Sequence, residues 1–78
     1  MRLTFFGRLR DAVGASELQR EVPTEVADSE ALRTWFGGAF PELIDPKVRI
    51  ALDDVVASGA VPISGVREVA FLPPVSGG

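Results

Sequence analysis

Arg67-Glu68-Val69-Ala70-Phe71-Leu72-Pro73-Pro74-Val75-Ser76-Gly77-Gly78 closes the chain, and its first half sets Val69 and Phe71 on one face against Glu68, Ala70 and Leu72 on the other. That period of two marks a strand with one covered face. Pro73 and Pro74 offer no N–H to a ladder and hold the backbone near polyproline geometry, so they end the strand and direct the last residues away from the body. Gly77 and Gly78 lack side chains, which leaves the terminal carboxylate on the thinnest backbone available, able to thread a channel too narrow for any other residue. Diglycine alone reads as an ordinary frayed terminus. Fed by an apolar strand and aimed by two prolines, it reads as a carboxylate meant for chemistry in another protein's pocket. The expected division is a folded domain over residues 1–72 and a flexible diglycine tail over residues 73–78.

At the other end, Met1 to Phe6 also alternates: Met1, Leu3 and Phe5 share one face, Arg2, Thr4 and Phe6 the other. Phe6 is a large aromatic on the face that should be solvated, and Leu72 is its counterpart in the last strand. Gly7 to Val13 places Leu9, Ala12 and Val13 at helical spacing, with Gly14 positioned as a stop. Glu17 to Val22 alternates again and Pro23 closes it as an edge strand, which predicts an antiparallel pair with the first strand. Asp28 or Ser29 can cap a helix with Glu30 in its first turn. Leu32, Trp35, Phe36, Ala39 and Phe40 then form an apolar stripe, and Gly37-Gly38 with Pro41 bring the helix to an end near Gly38. The stripe reads as core. Val48 to Leu52 is a strand, Asp53-Asp54 a tight turn, and Val55 to Ala57 a short partner strand. A metal site is the alternative reading of the acidic pair, but neighbouring side chains at a hairpin tip diverge and no further ligand type is nearby in sequence. Ser58-Gly59 and Ser64-Gly65 are turns around Val61-Pro62-Ile63. Strand, strand, helix, strand, strand, strand in so short a chain is an α+β pattern, a mixed sheet with one main helix across one face.

The 78 residues make one domain, and 46% hydrophobic with 24% charged residues is the composition of a chain with a packed core. There is no cysteine and no histidine, so disulfides, thiolate metal sites, thiol nucleophiles and the commonest general base are all missing. Self-contained catalysis is not expected, nor is any metal or cofactor site. A net charge of −3 and a pI near 4.7 argue against nucleic acid or an anionic membrane as partner. No apolar run approaches spanning length and the Arg-studded N-terminus is unlike a signal peptide, so the expected location is cytoplasmic.

The ending Glu68-Val69-Ala70-Phe71-Leu72-Pro73-Pro74-Val75-Ser76-Gly77-Gly78 resembles the C-terminus of the MoaD family, the small, sulfur-carrying subunits of molybdopterin synthase. Leu3-Thr4-Phe5-Phe6-Gly7-Arg8-Leu9-Arg10-Asp11-Ala12-Val13-Gly14 is similar to that family's first strand and helical turn, and Glu30-Ala31-Leu32-Arg33 and Phe40-Pro41-Glu42-Leu43 fall at its helix and helix exit. The resemblance implies a β-grasp (ubiquitin-like) fold with the first and last strands adjacent and parallel at the sheet centre. Two departures stand out. The family's usual Gly-Asp-Glu turn before the last strand is replaced by Ser64-Gly65-Val66-Arg67-Glu68, and its common Asn-Gly hairpin by Asp53-Asp54.

A carboxylate is a poor electrophile and must be activated, and nothing here resembles a nucleotide-binding loop, so any ATP is used by a partner. The resemblance implies that a MoeB-like enzyme adenylates Gly78, that sulfur displaces AMP to leave a thiocarboxylate, and that the tail enters a MoaE-like large subunit to donate sulfur to a pterin precursor. A heterotetramer with that subunit is implied. Gly78 is then the reacting residue, Gly77, Ser76, Val75, Pro74 and Pro73 fill the channel, and Phe6 and Leu72 are the expected partner contacts. Two alternatives stay open. One is a ThiS-like carrier for another pathway, which usually lacks the Phe-Leu-Pro-Pro-Val lead-in; the other is a ubiquitin-like modifier, for which Lys47, the sole lysine, limits chain building.

Overall fold

The computed structural model describes residues 1–74. Its elements are β1 (Arg2–Phe5), α1 (Arg8–Val13), β2 (Glu17–Gln19), α2 (Ser29–Gly37), a 3-10 turn (Pro41–Ile44), β3 (Arg49–Leu52), β4 (Val55–Val56) and β5 (Glu68–Leu72). The strands form one mixed sheet in the order β2-β1-β5-β3-β4. The last strand lies at its centre, parallel to β1 with Leu3 opposite Val69 and Phe5 opposite Phe71, and antiparallel to β3 with Ile50 opposite Phe71. With α2 laid across one face, this is the β-grasp arrangement.

Alternation decides which face is covered. Leu3, Phe5, Ile50, Leu52, Val69 and Phe71 all turn toward α2 and are buried, together with Leu32 and Phe36 from the helix and Leu9, Leu43, Val48 and Ile63 from the connections. The rings of Phe5, Phe36 and Phe71 stack on one another with centroids 5.4 to 6.2 Å apart, each pair adding about 0.5–1.5 kcal/mol beyond the area it buries. The central strand is thereby clamped to both the first strand and the helix.

Helix α2 begins as expected, with the Asp28 side chain accepting from Ala31 N–H at 2.8 Å. Its inner face differs from the expected stripe. Trp35 is 37% exposed and Ala39 is exposed, whereas Ser29, Arg33 and Gly37 are buried. The helix is rotated because Gly37 lets Ile44 of the 3-10 turn pack directly on the backbone, so that a Cβ at Gly37 would overlap the Ile44 side chain. Arg33 lies alongside, donating from Nη1 to the carbonyls of Leu43 at 3.2 Å and Asp45 at 2.8 Å, with Nε 3.3 Å from Glu30. A buried guanidinium thus satisfies the carbonyls of a helix exit that has no ladder of its own.

Two strands are shorter than their patterns suggest. β2 stops at Gln19 instead of reaching Val22, because the ladder with β1 reaches its last reciprocal pair at Met1 and Arg20. β4 comprises only Val55 and Val56. Between β3 and β4, Asp53 (φ 46°) and Asp54 (φ 72°) form the predicted two-residue turn, the left-handed pair that a tight hairpin requires. Asp53 also accepts from the N–H groups of Arg67 at 3.1 Å and Glu68 at 2.9 Å. The carboxylate anchors the start of β5, which accounts for an acidic residue at the tip. No helix of the described residues is long and apolar enough to cross a membrane.

Candidate functional site at the root of the tail

Among the residues singled out in the tail, Pro73 and Pro74 are described; Val75, Ser76, Gly77 and Gly78 lie outside the described residues. The site is therefore the place from which the tail departs. β5 ends at Leu72, and Pro73 and Pro74 come next, both half-buried. The β1–β5 register sets Phe5 opposite Phe71, and one step on Phe6 N–H donates to Phe71 O at 3.2 Å. Phe6 is thus brought abreast of Leu72.

These two residues stand on the face away from α2, since Phe5 and Phe71, their chain neighbours, point into the core. Phe6 is 49% exposed and Leu72 half-buried. Across β5, Leu72 is paired with Arg49, an exposed cation. One row further down the same face lie Thr4, Ala70 and Ala51, paired in register, with Val56 beyond them at the exposed end. Their small side chains make a shallow floor. The row after that is polar, where Arg2 Nε meets Glu68 Oε2 at 2.8 Å. The open face is therefore graded: a salt bridge far from the tail, small apolar groups in the middle, and Phe6, Leu72 and Arg49 at the exit. Such a surface sets an exposed apolar side chain, Phe6, beside the positive charge of Arg49.

Gly7 is the residue of this region that sequence reading passes over, counting it as the start of a helical turn. An ideal Cβ at Gly7 would lie 2.9 Å from Cγ of Pro73, so the first proline of the tail rests on a backbone with no side chain. Its signal in the sequence is slight: one glycine between a strand and a helix. Nothing local announces that a residue 66 positions later (73 − 7) packs on it.

No curated protein matches the sequence. Of solved structures, the protein described as molybdopterin converting factor, subunit 1, from Pyrococcus furiosus is similar at a TM-score of 0.74, with 21% identity and 95% of each chain covered. At that identity the likeness speaks for the fold, and it is the fold that the family resemblance implies. The match to a family model is broader in kind, running from the first strand through the diglycine. Because the ThiS family matches residues 3–78, nearly the whole sequence, the chain belongs to that family of β-grasp sulfur carriers.

Proposed function

We propose that this chain is the sulfur-carrying small subunit of a molybdopterin synthase, with Gly78 as the residue that carries the sulfur. The observation that favours this pathway within the family is the lead-in Phe71-Leu72-Pro73-Pro74-Val75 to Ser76-Gly77-Gly78, supported by the likeness in fold to the Pyrococcus furiosus protein described as a molybdopterin converting factor subunit. The chain is not catalytic alone. A MoeB-like partner binds ATP, and the Gly78 carboxylate attacks its α-phosphorus and releases pyrophosphate. A sulfide equivalent delivered by the partner then attacks the acyl-adenylate carbon and expels AMP, leaving a thiocarboxylate. In the channel of a MoaE-like large subunit, with which the chain forms a heterotetramer, the sulfur passes to the pterin precursor. Water restores the carboxylate. The acid–base groups belong to the partners, in keeping with a sequence that has neither His nor Cys.

Intact mass tests the reading. Incubation with ATP, an activating enzyme and a sulfide source is expected to add about 16 Da, the oxygen-to-sulfur difference at the terminus. Removing Gly78 is expected to abolish adenylation while leaving thermal unfolding unchanged, because a terminal residue beyond the core contributes almost nothing to stability. Pterin sulfuration by the truncated chain would overturn the assignment of Gly78.

The family match favours one second reading, a ThiS-like carrier for another pathway, because the matching model is that of the ThiS family. Both readings share the mass gain. They separate when the thiocarboxylated chain is offered a molybdopterin synthase large subunit and pterin precursor: formation of the dithiolene supports the first, and its absence with sulfur intact on the carrier supports the second.

A further inference from the structure

Phe6, Gly7, Arg8 and Leu9 form a turn in which Leu9 N–H donates to Phe6 O at 3.1 Å and Gly7 has φ 55° and ψ −135°. Those angles are close to the roughly +60° and −120° of the first central residue of a type II′ turn, a conformation that L side chains rarely adopt. Glycine is thus required by the backbone. The same residue is required for a second, spatially independent reason. The direction in which its side chain would point is occupied by the Pro73 ring, with Cγ 2.9 Å and Cβ and Cδ 3.8 Å from the ideal Cβ position. Real Cβ atoms do not approach a carbon that closely, and a proline ring cannot swing aside as a long flexible side chain does. One residue earlier, Phe6 is held to β5 by its bond to Phe71 O, so the seat itself is fixed to the strand that carries the tail.

We propose that Gly7 is a positioning residue for the tail: its bare Cα seats the Pro73 ring and so sets the direction in which the chain leaves β5. The inference rests on the sulfur-carrier reading for its purpose, and on the Gly7–Pro73 contact for its mechanism. Proline fixes its own φ near −65°, so a seated ring commits the backbone at Pro73 and Pro74 to one heading relative to Phe6 and Leu72. Residues 73–78, extended in a partner's channel, span at most about 20 Å. A tilt of roughly 10° at the seat therefore moves the reacting carboxylate by about 3 Å over that reach. A misplacement of about 1 Å already costs as much as 10²-fold in a reaction governed by orientation.

The test compares the full 78-residue chain, made by chemical synthesis, with Gly7→Ala, Gly7→D-Ala and the double variant Gly7→Ala with Pro73→Ala. D-Alanine carries its methyl on the other side of Cα and favours positive φ, so it preserves both the turn and the seat. Two readouts are taken below the melting temperature of every variant. The first is the nuclear Overhauser contact between the α-substituents of residue 7 and the Pro73 ring protons, which does not depend on function: it is expected from Hα in the parent chain and in Gly7→D-Ala, and from neither the methyl nor Hα in Gly7→Ala. The second is adenylation by the activating enzyme, where kcat/KM is expected to be about tenfold or more lower for Gly7→Ala than for Gly7→D-Ala, with part of the loss recovered when Pro73→Ala removes the clash. A merely structural glycine would lower the melting temperature and leave kcat/KM of the folded fraction unchanged. The proposal is overturned if the parent chain lacks the contact, or if the L and D variants are equally active. A parent chain that shows the contact but is adenylated by no carrier-activating enzyme supports the seat and overturns the functional reading alone.

Discussion

Ser29 and Asp28 divide a task that the sequence leaves to either of them. Asp28 caps the helix, as the hydrogen bond to Ala31 N–H shows. Ser29, fully buried, turns instead to the connection after β4: its Oγ donates to Gly59 O at 3.1 Å and accepts from Val61 N–H at 3.0 Å, while its own N–H donates to Val61 O at 2.8 Å. The connection has no ladder of its own at Gly59, so this hydroxyl supplies what a strand neighbour supplies elsewhere. Ser29→Ala would remove the partner of the exposed Gly59 carbonyl and of the half-buried Val61 N–H, and is expected to destabilise the fold by about 1 kcal/mol. Chemical denaturation with an unchanged slope and a lower midpoint is the signature to look for. A loss below about 0.5 kcal/mol, the scale of an ordinary surface change, would mean that water takes the place of the hydroxyl. At this scale the sequence shows which residue types can cap, but not which of two adjacent ones faces solvent.

Helix α2 shows where pattern reading succeeds and where a longer-range contact takes over. Its start, its end near Gly37 and the burial of Leu32 and Phe36 come from capping chemistry and a 3.6-residue period. The inward turn of Arg33 and the outward turn of Trp35 do not, because they depend on Ile44 docking on Gly37 from an element beyond the helix. Hydropathy counts arginine as polar and tryptophan as apolar. It cannot see that Arg33 is retained inside by the carbonyls of Leu43 and Asp45. Gly37→Ala tests the docking: although alanine is the better helix former by about 1 kcal/mol, the overlap with Ile44 is expected to cost about 1–3 kcal/mol, for a net loss seen as a lower melting temperature. A stabilised variant would show that the 3-10 turn yields easily. The strands are the more legible elements, since alternation alone identifies the buried faces of β1 and β5, with Leu3, Phe5, Val69 and Phe71 all inside. Their parallel adjacency comes only through the family resemblance.

For the molecule as a whole, the open face, the tail root and the chemistry proposed for Gly78 form one device only if a partner reads Phe6 and Leu72. Replacing either by aspartate is expected to weaken binding to a large subunit by about 2 kcal/mol or more if these are central anchors, roughly 30-fold in Kd. Phe6→Asp is the cleaner probe, because Phe6 is 49% exposed in the free chain while Leu72 is half-buried. Titration of the large subunit against each variant, with thermal unfolding in parallel, separates the roles. Unchanged affinity for both removes the patch from recognition, and a collapsed melting temperature for Phe6→Asp assigns that ring to the core. The topology also bears on the steps after docking. β5, which carries the tail, is bonded along its length to β1 on one side and β3 on the other, and runs parallel to β1. Traction applied to the chain beyond Leu72 and resisted at the N-terminal end would act along those ladders as shear, straining many rungs together instead of peeling them one at a time. Forced unfolding is limited by the rate at which such a barrier is crossed. If its terminus is held in a partner's channel as proposed, a chain built this way would resist traction on that terminus and come away as an intact body.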